Sequence, residues 1–273
     1  MVPTLFVSHG PPSFALEPGP IGRRLGILGR QLPRPDAIAV VSAHWQTVGV
    51  HVTGSAAPPT IHDFRGFAPA LQALRYPAPG HPGLAGTTRD LLRSAGWPAD
   101  IDLERGLDHG AWVPLLHMFP HADVPVVQVS LPLGMDGDGA WQFGHALAPL
   151  RGLGVLIVGS GSLTHGLADF FDGGTGGRES ARRFRNWVRC AVETGDPDRV
   201  RGGLSQAPEA RRVHPTPEHY LPLPVAAAAG GMERAERIDG GWMGKVIAMD
   251  AFVFGACGNG EAGVGNSERL SAA

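Results

Sequence analysis

A single α/β domain, with a mostly buried central sheet flanked by helices and an active site at strand ends, is the fold class this 273-residue sequence predicts. Three observations predict it. Four short runs are apolar without alternation, as strands covered on both faces should be: "TLFVS" (4–8), "AIAVVSA" (37–43), "VPVVQVSL" (124–131) and "GVLIVGS" (154–160). Segments with helical spacing lie among them. No linker splits the chain, so residues 1–257 read as one domain and 258–273, with little to bury, as a flexible tail.

Taken in order, the first strand, 4–8, runs out into Ser8-His9-Gly10, and the second, 37–43, into Ser42-Ala43-His44-Trp45. The stretch 54–80 is long, proline-rich and aromatic. A connection of that length is usually functional, and His62, Phe64, Phe67 and Tyr76 suit a lid or pocket wall. A helix over 84–96 closes on Gly96 as a C-cap. Residues 111–119 form another, with Pro114 tolerated in its first turn. After the strand at 154–160, a Gly/Ser turn leads to His165. Ala181, Phe184, Trp187, Val188, Ala191 and Val192 mark one apolar face of a helix over 180–193. Thr216 as N-cap and Pro217 as first residue start a helix over 216–230, and 245–254 is a last β-rich run.

Composition narrows the function. A net charge of -2, with arginines scattered among acids and Lys245 the one lysine, argues against nucleic acid or an anionic membrane as partner. The 40 glycines and 25 prolines punctuate hydrophobic segments without forming a repeat. Cys190 and Cys257 are far apart and make no metal-type pair, which suits a reducing compartment. The sequence opens without a secretion signal and has no run of about 18 apolar residues, so a cytoplasmic protein is expected.

The histidines carry the chemistry. Loops at strand ends are fixed at one end by the sheet and converge at the other, so they commonly hold a metal. His9, His44 and His165 sit at such exits, and His219 would lie in the first turn after Thr216. Each alone is better read as structural; their repeated placement favours a metal such as iron, zinc, copper or nickel. His109, between Asp108 and Gly110, is either a solvated helix-start residue or a general acid/base. Glu218 could complete a two-histidine, one-carboxylate iron set, or it could simply favour a helix N-terminus.

The blocks "LFVSHGPPSFAL", "SAHW", "PPTIHDFRGF", "YPAPG", "RGLDHGAWVPL", "ADVPVVQVSL", "GSGSLTHGL" and "PTPEHYLPL" stand in the order seen in one family. Over roughly residues 3–255 the chain resembles the DOPA-type extradiol aromatic ring-opening dioxygenases, relatives of the larger subunit of protocatechuate 4,5-dioxygenase. The resemblance implies one divalent metal per chain, Fe(II) for activity, with Zn(II) as a possible resident ion. It implies His9, His44 and His219 as ligands, with His219 preferred over Glu218. His165 is implied as a fourth ligand or an acid/base beside the metal, and His109 as a proton-handling or substrate-binding residue. It further implies a small aromatic diol and O2 as reaction partners, a muconic semialdehyde product, and a monomer or small homo-oligomer. Phe64, Phe67 and Trp45 are candidates to wall an aromatic pocket. Where relatives commonly read "HN", this chain has His165-Gly166 and lacks that amide. The rivals are a zinc-bound relative with hydrolytic or no oxygenase activity, since histidines without a carboxylate also suit zinc, and a metal-binding scaffold without turnover.

Overall fold

The four unalternating apolar runs form the middle of one eight-stranded sheet. In chain order the strands are β1 (Thr4–Ser8), β2 (Ala37–Thr47), β3 (Val50–Thr53), β4 (Ala99–Asp102), β5 (Val126–Pro132), β6 (Val155–Gly161), β7 (Glu236–Ile238), β8 (Trp242–Met243), β9 (Ile247–Ala248) and β10 (Ala251–Phe254). The helices are α1 (Gly19–Gln31), α2 (Pro69–Ala73), α3 (Pro82–Ser94), α4 (His109–Met118), α5 (Gly137–Leu147), α6 (Leu167–Asp172), α7 (Thr175–Glu193), α8 (Pro197–Arg201), α9 (Gly203–Gln206), α10 (Ala210–Val213) and α11 (Pro222–Gly230). The computed structural model describes residues 1–172, 175–232 and 235–255. The tail expected over 258–273, and Cys257, lie outside the described residues.

The strand order is β4-β3-β5-β2-β6-β1-β10-β7, with β8 and β9 paired separately. Neighbours β5, β2, β6 and β1 are all parallel, so their carboxyl ends share one side of the sheet. Antiparallel β3 and β10 flank them. Period-two burial explains why the central runs are apolar throughout. In β2, Ile38 and Val40 join the core beneath α1 and α4, while Ala39 and Val41 join the core beneath α5 and α11. Both faces are covered, so neither can be polar. Among the described residues, no helix is long and apolar enough to cross a membrane.

Several elements differ from expectation for identifiable reasons. The charged "ADID" of β4 and the four-residue β3 pair parallel to each other at the sheet margin, where short strands carry little apolar signal. The run 245–254 is divided into β9 and β10 around Asp250, which is fully buried against Arg185 and Arg189. The helix of 111–119 starts earlier, at His109, because the Asp108 side chain caps it by accepting from the Ala111 N–H. Pro114 therefore falls in the second turn, not the first. Nor does Thr216 start a helix: α11 begins at Pro222. Pro222 and Pro224 have no N–H to return to residues 218 and 220, so the turn through Pro217–Leu221 cannot run on into α11 as continuous helix.

Candidate active site

The parallel strands deliver the site at their carboxyl ends. His9 follows β1 directly and is buried. His44 was expected just past its strand but lies within β2, at an irregularity. Five steps along β2 from Val41 to Gln46 match only two along β5 from Val129 to Leu131, and pairing with β6 ends at Ser42. "SAHW" is thus the stretch where β2 leaves its ladder, which turns His44 toward β1. His219 occupies the turn before α11 instead of a helical first turn. Its carbonyl accepts from the Ser162 N–H at 2.8 Å, docking the turn onto the end of β6. Gly161 makes that approach possible, since a Cβ there would sit 2.2 Å from the same carbonyl oxygen.

These three rings meet. Centroid separations are 4.8 Å for His9–His44, 4.9 Å for His44–His219 and 5.4 Å for His9–His219. His109, at the start of α4, lies 4.0 Å from the His44 ring and 5.4 Å from that of His9. It is buried, which removes the solvated helix-start reading. His165 lies four residues beyond β6 and stacks flat on His219, with centroids 3.5 Å apart and 10° between planes. All five sequence-predicted histidines therefore share one cluster. His62 takes the blander role, bonding to the Leu74 carbonyl at 3.0 Å.

The partners of the outer ring nitrogens fix where the protons sit. His219 Nδ1 donates to Glu218 Oε1 at 3.0 Å, and Glu218 also accepts from the Thr216 hydroxyl. Those bonds outweigh burial and hold the Glu218 carboxyl at about 2. Glu218 thus orients His219 through Nδ1, while the buried Nε2 of His219 has no hydrogen-bond partner among the described residues. Asp63 does the same for His109, accepting from its backbone N–H at 3.0 Å and from Nδ1 at 2.9 Å. Against the opposing effect of burial, these bonds bring the Asp63 carboxyl down to about 2, and its other oxygen stands 3.7 Å from His44 Nδ1. His9 Nδ1 pairs with Ser160 Oγ at 3.0 Å.

His44 Nε2 and His9 Nε2 are 3.0 Å apart. Burial first, then the neighbouring imidazoles, keep these rings neutral: His9 is held well below the usual histidine range, His44 at about 2 and His165 at about 3. With the Nδ1 atoms of His109 and His219 tied outward to carboxylates, the cluster gathers imidazole nitrogens on its inner side. That donor set fits a divalent cation. Ligand atoms of His9, His44 and His109, and separately of His165, Glu218 and His219, lie within 4.8 Å of one another.

The sequence reading had no means of assigning Asp63 or Asp108. Asp63 sits in the 54–80 stretch, whose Tyr76 hydroxyl donates to the Phe119 carbonyl and whose Ile61 carbonyl accepts from Trp112 Nε1, so the segment is an ordered wall. Asp108 is fully buried, accepts from Ser42 at 2.7 Å and Arg105 at 3.2 Å, and also bonds to the Gln128 amide. It thereby ties the stretch that carries His44 to the start of α4. Phe64 meets the His109 ring edge-on at 5.8 Å, and the exposed Phe67 packs on the outer side of the cluster against Phe64. Among the described residues, the ring contacts of Trp45 are His51 and Arg105.

Residues 24–253 match the family described as the catalytic LigB subunit of aromatic ring-opening dioxygenase. A 4,5-DOPA dioxygenase extradiol of Beta vulgaris is 40% identical over 256 residues, 92% of this chain and 96% of that protein. The Escherichia coli K12 protein of the same name is 41% identical over 81% of this chain and 83% of its own length. A crystal structure of an uncharacterized Escherichia coli K12 protein superposes with a TM-score of 0.76 at 31% identity, covering 93% of this chain and all of that one.

Proposed function

The chain belongs to the family of catalytic LigB subunits of aromatic ring-opening dioxygenases and is an extradiol dioxygenase, and on that premise we propose that it opens a catechol ring with O2. The substrate is DOPA or a related ortho-diphenol, cleaved beside its two hydroxyls to a muconic semialdehyde. We read it as a cytoplasmic monomer or small homo-oligomer acting on a diffusible diol.

The observation that carries this reading is the convergence of three imidazoles: the buried Nε2 of His219, without a partner among the described residues, beside the rings of His9 and His44, whose Nε2 atoms face each other at 3.0 Å. Those three atoms would hold one divalent ion, Fe(II) in the active enzyme, with Zn(II) able to occupy the same nitrogens. When bound, the metal supplies Lewis acidity toward the diol and a template that brings diol and O2 together. Glu218 serves His219 from behind and is not a ligand. His165 lies parallel to His219, so its in-plane lone pairs run alongside those of its neighbour and do not converge with them. That geometry favours His165 as a proton carrier beside the metal over a fourth ligand. His109, with its Nδ1 proton held by Asp63, offers Nε2 as the base that takes a phenolic proton. Phe64 and Phe67 cover the side of His109 where an aromatic ring would lie.

Anaerobic loading with Fe(II), addition of a panel of catechols and admission of air tests the reading. Oxygen uptake with a yellow product is expected for Fe(II), and none for Zn(II). Metal bound without turnover of any catechol, or equal turnover with zinc, would reject it.

A further inference from the structure

In an α-helix the N–H of residue 114 would return to the carbonyl of residue 110. Pro114 has no N–H, so the Gly110 carbonyl in the buried first turn of α4 lacks its helical donor. The donor comes from another element: the Ser160 hydroxyl of β6 bonds to it. Gly110 has no Cβ to interfere, and one placed there would stand 2.5 Å from Ser42 Oγ and 3.1 Å from the His44 ring. Ser160 is fully buried, in register with Val7 of β1 on one side and Ser42 of β2 on the other.

A hydroxyl has one proton. Ser160 spends it on a carbonyl, which can only accept. Toward His9 Nδ1, 3.0 Å away, the same oxygen is left only to accept. His9 must therefore carry its proton on Nδ1 and leave Nε2 bare, facing His44 Nε2. We propose that Ser160 is a positioning residue for the reaction, fixing the tautomer and ring orientation of His9, and that Pro114 is the reason its proton points away from the imidazole. The proposal rests on the reading of His9 as a metal ligand through Nε2. It differs from the arrangements at His109 and His219, where a carboxylate does the equivalent work. His9 is served by a neutral relay, so its tautomer is set without adding negative charge beneath the ion.

Two measurements on the full chain test this. Long-range ¹H–¹⁵N correlation spectra of the metal-free protein report the His9 tautomer directly. Wild type is expected as the Nδ1–H form, and Ser160→Ala as a mixture with Nε2–H. Calorimetric titration with Zn(II) is expected to show affinity about 10–100-fold weaker in Ser160→Ala. Ser160→Cys, which keeps the shape of the side chain but donates and accepts weakly, should lie close to the alanine variant in both readouts. Thermal unfolding identifies any variant that has not folded, and Ser160→Cys then carries the test. The relay is overturned if Ser160→Ala keeps both the tautomer and the affinity, or if Ser160→Cys matches wild type while Ser160→Ala does not, since shape alone would then account for the loss. Unchanged zinc affinity in His9→Ala would instead remove the ligand reading, and the metal-free spectra would still judge the relay.

Discussion

Gly161→Ala adds one methyl group at the point where the His219 turn rests on β6. The new Cβ would lie 2.2 Å from the His219 carbonyl oxygen and 3.2 Å from both its carbonyl carbon and Pro222 Cγ. Those neighbours are backbone and a proline ring, so nothing flexible can swing aside. Restoring ordinary contact requires the His219 backbone to withdraw by about 1 Å, a displacement of the size that can cost about 10²-fold when it falls on a reacting group. The withdrawal also stretches the bond from Ser162 N–H to His219 C=O, now 2.8 Å, and overpacking of this kind costs about 1–3 kcal/mol of stability. Oxygen uptake with Fe(II) and a catechol, zinc affinity and thermal unfolding measure the three consequences. Gly152→Ala is the control, because a Cβ there meets nothing within 4 Å. If Gly161→Ala kept wild-type turnover and melting temperature, the docking of His219 through its carbonyl would be wrong.

Asp63→Asn removes the charge that faces the Nδ1 atoms of His109 and His44; kcat should fall about 10–100-fold with metal content retained, and unchanged kcat would rule Asp63 out as a positioning group. His165→Ala should keep its metal yet lose about 10²–10⁴-fold in turnover, whereas loss of the metal would make His165 a ligand. Asp250→Ala leaves Arg185 and Arg189 with Asp239 as their remaining carboxylate and the Arg185 Nε–H without its acceptor, and urea unfolding should show a loss of about 1–3 kcal/mol; a value within error of wild type would show Asp250 to be dispensable. Burial holds His214 at about 4, His165 at about 3 and His44 at about 2, and lowers His9 well below its ordinary 6.5. The unfolded chain takes up these protons near 6.5 while the folded one does not, so the stability of the metal-free protein is full above that pH. Below it, stability should fall as the pH drops. A urea midpoint that stays flat down to about pH 5 would contradict this sign.

What the sequence determined by itself was the middle of the fold and the list of imidazoles. Apolar runs without alternation mark strands covered on both faces, and β1, β5 and β6 lie within two residues of the runs read for them. His9, His109 and His165 were legible beside a strand end or helix start whose pattern is local, whereas the helix start read for His219 and the strand end read for His44 both fall elsewhere. Tertiary structure alone decided what each imidazole contacts. Asp63 is 46 residues from His109 and Ser160 is 151 from His9, separations over which no periodicity or spacing rule carries information. Between Glu218 and His219 the family resemblance prefers His219, and the tertiary structure adds what spacing cannot, the bond from His219 Nδ1 to the Glu218 carboxylate. Prolines show the same division. The N–H missing at Pro114 is written in the chain, but its substitute at the Gly110 carbonyl, the Ser160 hydroxyl, is chosen only when β6 packs beneath α4.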